Sequence, residues 1–492
     1  MMNDWKKSDS AIVPEKAANK GSSGPAELLE GRAGPKGNGV GQSPRRAQKR
    51  GSGSQAADRI RQAAKRNPEE RLVALLHHVT VDVLHDAFHS LRKDAAAGVD
   101  GVTWDAYADG LEGRLADLCA RVHRGAYRAP PSRRVYIPKE DGGQRPLGIA
   151  ALEDKVLQRA VTDTILVPIY ETEFLGFSYG FRPGRGTHNA LDAVTVGIHR
   201  RKVNWIVDAD IRGFFDNLDR DHLVRMLGKR IGDTRVIRLI VKWLNAGVME
   251  GTDWSDTGRG TPQGAIVSAC LANVYLHYVL DDWFHNTWRK RIAGGDTIIV
   301  RYADDFVCGF QHLGDAKRFL RDLGERLAHY GLELHPDKTR LIEFGRFARA
   351  DRRKRGQGKP ETFDFLGMTH FCDQSRKGRF RVGRKPSGKR VRRTLRRIKE
   401  ELRMRWHDNR HDTARWLGRV INGWLNYYAV PGSSRDLQRF MYQCRRLLMR
   451  ALRRRSQRDH TEWKDIVSLT AAHWPQARIR HPWPSQRLVV RT

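Results

Sequence analysis

The sequence predicts an α+β fold that gives way to a helical bundle. Three observations carry that prediction. Between residues 70 and 370, short β-branched runs alternate with stretches whose apolar residues recur every three or four positions. Within them lies Ile298-Ile299-Val300-Arg301-Tyr302-Ala303-Asp304-Asp305-Phe306-Val307, two apolar runs around adjacent carboxylates, the pattern of a β-hairpin with acids at its tip. Beyond Phe371 arginine dominates, and three successive stretches read as amphipathic helices. No repeat period is visible.

At 492 residues the chain is long enough for two or three domains, and 39% hydrophobic residues supply real cores. The net charge of +34 makes nucleic acid the leading partner. A membrane surface is disfavoured because the basic residues are spread along the chain instead of clustering at one site. Cys119, Cys270, Cys308, Cys372 and Cys444 are far apart and form no Cys-x-x-Cys pair, so neither a disulfide framework nor a zinc ribbon is expected. Free thiols fit a reducing cytoplasm. No stretch approaches the roughly 20 apolar residues of a membrane helix, and the N-terminus lacks a signal core.

In chain order, residues 1–55 are rich in Gly, Ser, Pro, Ala and Lys and read as a disordered basic tail. A helical pattern is expected from Asp58 to Arg92, with Leu72, Leu75, Leu76 and Val79 on its stripe. A small-residue loop, Ala95 to Val102, leads into a second helical run through Leu111, Leu115 and Leu118. Arg133–Ile137 and Gln144–Ile149 read as strands about an Asp141-Gly142-Gly143 turn. A helix is expected over Leu152–Tyr170, an irregular Gly- and Pro-rich loop over Phe177–Thr187, and a helix over His188–His199. The strand Asn204–Asp210 is followed by helices near His222–Gly228 and Thr234–Ala246 and a turn over Asn245–Gly251. Gly258–Gly264 opens a helix over Ala265–Trp288; after the acidic hairpin come a helix over Leu313–Gly331 and a strand–turn–strand over Leu332–Phe344. The sheet is expected to carry helices on one face.

The chemistry rests on carboxylates. Asp304 and Asp305 alone read equally as an acidic turn. The strand Trp205-Ile206-Val207-Asp208-Ala209-Asp210 also ends in acids and runs into Ile211-Arg212-Gly213-Phe214-Phe215-Asp216. If one sheet joins the two strands, three carboxylates converge. Like charges so close call for cations between them, and hard oxygen donors suit Mg²⁺. Two such ions, about 4 Å apart, would serve in-line phosphoryl transfer.

The chain resembles the reverse transcriptases encoded by bacterial group II introns. Tyr302-Ala303-Asp304-Asp305, the Asp210–Asp216 segment and Gly260-Thr261-Pro262-Gln263-Gly264 carry the likeness. So, in the family's order, do Ala97-Gly98-Val99-Asp100-Gly101, Ile137-Pro138-Lys139, Arg145-Pro146-Leu147-Gly148-Ile149, Gly180-Phe181-Arg182-Pro183-Gly184, Pro336-Asp337-Lys338-Thr339 and Phe365-Leu366-Gly367. The resemblance covers about residues 70–455.

It implies a right-hand polymerase. Fingers and palm, with an antiparallel sheet carrying the acids, would occupy 56–371; a helical thumb/maturase region 372–455; and a short extension without an endonuclease 456–492. The resemblance places metal ligation on Asp210, Asp304 and the Ile211 backbone, with Asp305 the neighbouring catalytic acid and two Mg²⁺ ions as cofactors. Lys139 and Arg145 match triphosphate contacts, Phe215 the ring that excludes a 2′-OH, Gln263 the residue beside the nascent base pair, and Lys338 a group able to protonate pyrophosphate. The implied partners are an RNA template, intron RNA, a DNA primer or target and dNTPs, in a bacterial cytoplasm at the nucleoid; no oligomeric state is implied. Gly423-Trp424-Leu425-Asn426-Tyr427-Tyr428 resembles the maturase region, and Trp424 and Tyr428 also lie on the apolar stripe, which favours core packing for each. Ser268-Ala269 departs from the family's Ser-Pro, and no Cys/His-rich endonuclease segment is visible. Two other readings stand beside polymerisation: a maturase that only aids splicing, and a domesticated relative serving DNA repair or defence.

Overall fold

A computed structural model of the chain describes residues 44–138, 143–251, 253–255, 258–261, 264–455 and 460–488. Among them, strands form three sheets. In chain order the strands are β1 (Ser132–Pro138), β2 (Gln144–Ile149), β3 (Trp205–Ala209), β4 (Val248–Glu250), β5 (Asp253–Ser255), β6 (Thr297–Tyr302), β7 (Asp305–Phe310), β8 (Arg340–Glu343), β9 (Phe363–Phe365), β10 (Met368–Gln374) and β11 (Phe380–Pro386).

The central sheet runs β6-β7-β3-β8, and every neighbouring pair is antiparallel. Strand alternation sends its apolar residues to both faces. Val207, Ile299, Phe306 and Cys308 enter one core, with the helices Ile266–Leu276 and Leu313–His329. Ile206, Ile298, Val300 and Val307 enter a second core, with the helix Thr187–Arg200 and the C-terminal helices. Helices therefore cover both faces, not one as the sequence pattern implied: the runs in β6 and β7 are nearly continuous apolar stretches, which mark a sheet buried on both sides.

The β1–β2 hairpin extends through a parallel β1–β4 contact to β5, so Asn245–Gly251 is part of a strand pair as well as a turn. The third sheet, β9-β10-β11, was not expected, and it crosses the anticipated boundary at residues 371/372 inside β10. The C-terminal helices begin after it, at Gly388–Met404, Arg410–Tyr428, Ser434–Arg453 and Trp463–His473.

Three further expectations are corrected. The first helix spans Pro44–Arg66 and starts inside the stretch anticipated as a disordered tail; residues 1–43 lie outside the described part. Leu72–Val79 is not helical apart from a short turn at Leu76–His78. Pro68 interrupts the pattern, and the Leu75 and Leu76 N–H groups donate to the Asp233 carboxylate at 2.8 and 3.0 Å instead of to a helical carbonyl. The first strand anticipated in Leu332–Phe344 shrinks to one bridge, Leu334 with Ile211.

Candidate active site

Antiparallel pairing of β3 with β7 brings the acids together. Ala209 lies opposite Phe306, so one step further along that register Asp210 reaches the level of Asp305. Tyr302 pairs with Asp305, leaving Ala303 and Asp304 as a two-residue turn in which Ala303 is left-handed at φ 58°. Burial, reinforced by the Asp210 carboxylate, raises the Asp304 carboxyl above the ordinary range, while Arg145 and Arg301 oppose the shift. Asp305 is pushed up further, by burial and then by Asp304, Asp208 and Asp210; the Leu366 N–H favours its ionised form. Asp208, unassigned in the sequence, is also raised by burial and is countered by Arg340, 3.1 Å away. Such mutual repulsion means that four carboxylates share one end of the sheet.

Around them, the Lys338 Nζ donates to Asp210 Oδ2 at 2.8 Å. Ile211 has a buried side chain and a backbone held against Leu334, and the His335 N–H donates to the Asp210 carbonyl at 2.8 Å. Arg145, on β2 opposite Ile137, is exposed and close enough for its charge to act on Asp304. Phe215 is half-buried in the short helix Phe214–Asn217, and its carbonyl accepts from the Thr261 N–H at 2.9 Å. Gly264 is left-handed at φ 116°, and a Cβ there would lie 2.9 Å from the Gly148 carbonyl, so only glycine lets this loop approach β2 so closely. Lys139 and Gln263 lie outside the described residues. No group of three or more His, Cys, Asp or Glu stands among the described residues as a ready-made metal cluster.

Comparison with known proteins places this geometry in a family. Residues 137–370 match the reverse transcriptase (RNA-dependent DNA polymerase) family, and residues 389–467 match the group II intron maturase-specific domain. The protein YkfC of Escherichia coli K12 is 31% identical over 317 residues, covering 58% of this chain and 78% of that protein. The chain belongs to the group II intron-type reverse transcriptase family. The group II intron-encoded protein LtrA of Lactococcus lactis subsp. cremoris is 37% identical over 223 residues, 45% of this chain. The match spans only 37% of LtrA. A protein encoded in the cob intron of Schizosaccharomyces pombe is 38% identical over 209 residues, 42% of this chain and 25% of its own length.

All four acids fall in the segment that matches the reverse transcriptase family. The maturase-specific segment presents a cationic face: Arg392, Arg396, Arg397, Arg450, Arg453 and Arg454 are exposed, while Arg393, Arg445 and Arg446 are half-buried. Trp424 is buried and stacks on Phe440 with centroids 3.8 Å apart, and Tyr428 is buried beside it, so both pack the core. No described helix is long and apolar enough to cross a membrane.

The sequence reading overlooked the residues that hold the acidic turn from behind. Arg301 is fully buried, paired with buried Asp281, and bonded to Asn273 and to the Ala303 carbonyl. A charged residue in the middle of an apolar β run was the signal that could have found it.

Proposed function

We propose that this chain is an RNA-directed DNA polymerase that also binds its intron RNA to aid splicing and mobility. The observation that carries the reading is the convergence of Asp210, Asp304 and Asp305 from two paired strands onto one sheet end, where their charges repel. The central sheet would be the palm, the β1–β2 hairpin and the helices before it the fingers, and the helices from Gly388 onward the thumb and maturase region. The expected division at 371/372 moves to the end of β11.

The donors fit Mg²⁺. Asp210, Asp304 and the Ile211 carbonyl are all oxygen ligands, and Mg²⁺ is usually held by one or two carboxylates completed by water and substrate phosphates, not by a closed protein cage. When bound, two such ions would activate the primer 3′-OH and offset charge on the triphosphate and the leaving pyrophosphate. Asp210 and Asp304 orient the reacting groups. Arg145, with Lys139, holds the triphosphate by charge-assisted hydrogen bonds. The primer 3′-OH gives up its proton to water, and its oxygen forms a bond to the α-phosphorus as the bond to pyrophosphate breaks. Lys338, whose Nζ donates to Asp210, would give a proton to the leaving pyrophosphate. The Phe215 ring would clash with a ribose 2′-OH and so select deoxynucleotides, and Gln263 would border the nascent base pair. The arginines of the maturase segment neutralise RNA phosphates. The nucleoid would supply the DNA partner.

Primer extension on an RNA template with dNTPs and Mg²⁺ tests the polymerase. Extension that disappears in Asp304→Ala, with RNA binding retained, is the expected result; a wild-type chain that extends no primer at any salt concentration overturns it. Splicing of the flanking intron with and without the protein tests the second role.

A further inference from the structure

We propose that Arg301 and Asn273 are positioning residues that set the direction of Asp304 by fixing the Ala303–Asp304 peptide. The proposal rests on the polymerase reading and adds a means by which the acidic turn is held.

Ala303 occupies the left-handed region at φ 58°, which a residue with a Cβ leaves unless its surroundings hold it there. The Ala303 carbonyl belongs to the peptide whose nitrogen is that of Asp304, so whatever orients this carbonyl orients the start of Asp304. Arg301 Nη1 donates to it at 2.9 Å. The same nitrogen donates to Asn273 Oδ1 at 2.8 Å. The rest of the guanidinium is committed to Asp281, with Nε to Oδ1 at 2.8 Å and Nη2 to Oδ2 at 2.5 Å. Asn273 spends its other end on the loop before the Thr187–Arg200 helix: Nδ2 donates to the Gly180 carbonyl at 2.7 Å. Arg301, Asp281 and Asn273 are at most 1% exposed.

Gly180 closes the arrangement. A Cβ there would lie 2.3 Å from the Ala303 nitrogen, so the loop backbone lies directly against the turn. The loop also pairs with β6: the Tyr179 N–H donates to the Arg301 carbonyl at 2.8 Å, and the Arg301 N–H to the Phe177 carbonyl at 2.9 Å. Asn273 sits on Ile266–Leu276, the helix that begins two residues after Gly264. One guanidinium and one amide thus tie three segments to a single peptide beside the acids: the turn, the Phe177–Gly180 loop and the helix following the Gly258–Gly264 loop.

A buried Arg–Asp pair is a weak source of stability, because desolvation offsets most of the attraction. Its usefulness here lies in geometry. Arginine makes four donations here from three nitrogens, two to Asp281 and one each to Asn273 and Ala303, whereas a lysine has three donors on one nitrogen and cannot match them.

The test uses the full chain with Arg301→Lys, Asn273→Ala and the double variant. Asn273→Ala leaves the Arg301–Asp281 pair in place, so it carries the test if Arg301→Lys does not fold. Three quantities are read: kcat and KM for dNTP in primer extension, the primer–template Kd, and the affinity for Mn²⁺ measured by electron paramagnetic resonance. Expected are a fall in kcat of about tenfold or more, KM and primer–template Kd within about twofold, and Mn²⁺ binding weakened several-fold in each single variant. The double variant should be no worse than the more damaged single one, because both act through one peptide. Unchanged kcat and Mn²⁺ affinity in Asn273→Ala overturn the proposal, as do additive losses that track a lowered Tm. If the wild-type chain extends no primer, the polymerase reading fails separately, and Mn²⁺ affinity alone decides: equal values in wild type and Asn273→Ala overturn the positioning role.

Discussion

Lys338 reaches the Asp210 carboxylate across the sheet edge, its Nζ 2.8 Å from Oδ2. The lysine side chain is largely exposed, and the contact joins the residues that follow the Leu313–His329 helix to the end of β3. The ammonium occupies one of the oxygens proposed to hold a metal ion, so the two cations would compete. Lys338→Ala is expected to bind Mn²⁺ more tightly without nucleotide, yet to extend a primer about 10–100-fold more slowly, because the proposed proton donor for pyrophosphate would be lost. Mn²⁺ titration and single-turnover extension measure the two effects. Equal Mn²⁺ affinity in variant and wild type would show that the ammonium does not compete.

Asp210→Asn and Asp304→Asn keep the side-chain shape and remove charge. Each is expected to lower extension by at least about a thousandfold while leaving RNA affinity within about twofold, since the basic helices lie outside the sheet. Filter binding beside extension separates the two effects.

The Phe215 ring is half-buried against Phe214, with centroids 5.2 Å apart. Phe215→Val should leave dNTP use largely intact and raise ribonucleotide incorporation by about tenfold or more, because a smaller side chain makes room for a 2′-OH. Competition between dNTP and rNTP on one template checks it; unchanged sugar selectivity removes Phe215 from this role.

Asp154 offers a pH signature away from the acidic turn. It is buried, accepts a hydrogen bond from the Tyr127 hydroxyl, and burial raises its carboxyl from 3.8 to about 7. Between those values the folded chain keeps a proton that the unfolded chain has lost, so stability falls as pH rises from about 4 to about 7 and then levels off. Asp154→Asn should flatten that slope and raise stability at neutral pH by ~1–4 kcal/mol. Urea unfolding at several pH values measures it.

Asp192, buried on the Thr187–Arg200 helix, pairs with Arg384 at 2.7 Å and with Arg487 at 3.0 Å. Asp192→Ala leaves the Arg384 guanidinium buried without its counter-charge and should cost about 3–5 kcal/mol. A lowered urea midpoint is the expected outcome. Arg487→Ala, which leaves the Asp192–Arg384 pair, should cost less.

Much of the fold could be read locally. Apolar β-branched runs marked β6 and β7, two short β runs marked the paired strands β1 and β2, and three- and four-residue spacing marked the C-terminal helices, because each signal lies within a few residues of its effect. The failures had distant causes. Leu72–Val79 has helical spacing, but an aspartate far along the chain, Asp233, takes its N–H groups. The β9-β10-β11 sheet straddles a change of composition that suggested a boundary. Arg301 read as part of a strand, and its partners Asp281 and Asn273 gave no local sign of their role.

The sequence by itself determined that acids end two β runs, that the stretch beyond about Phe371 is rich in arginine with helical spacing, and which family the ordered blocks resemble. These properties depend on residue type and short spacing. Only the tertiary structure decided that Asp210 meets Asp304 and Asp305, that the sheet is buried on both faces, and that the acidic turn is held from behind by a guanidinium. Each depends on strand register and on packing between segments far apart in sequence, where one residue's slip would turn every side chain to the opposite face.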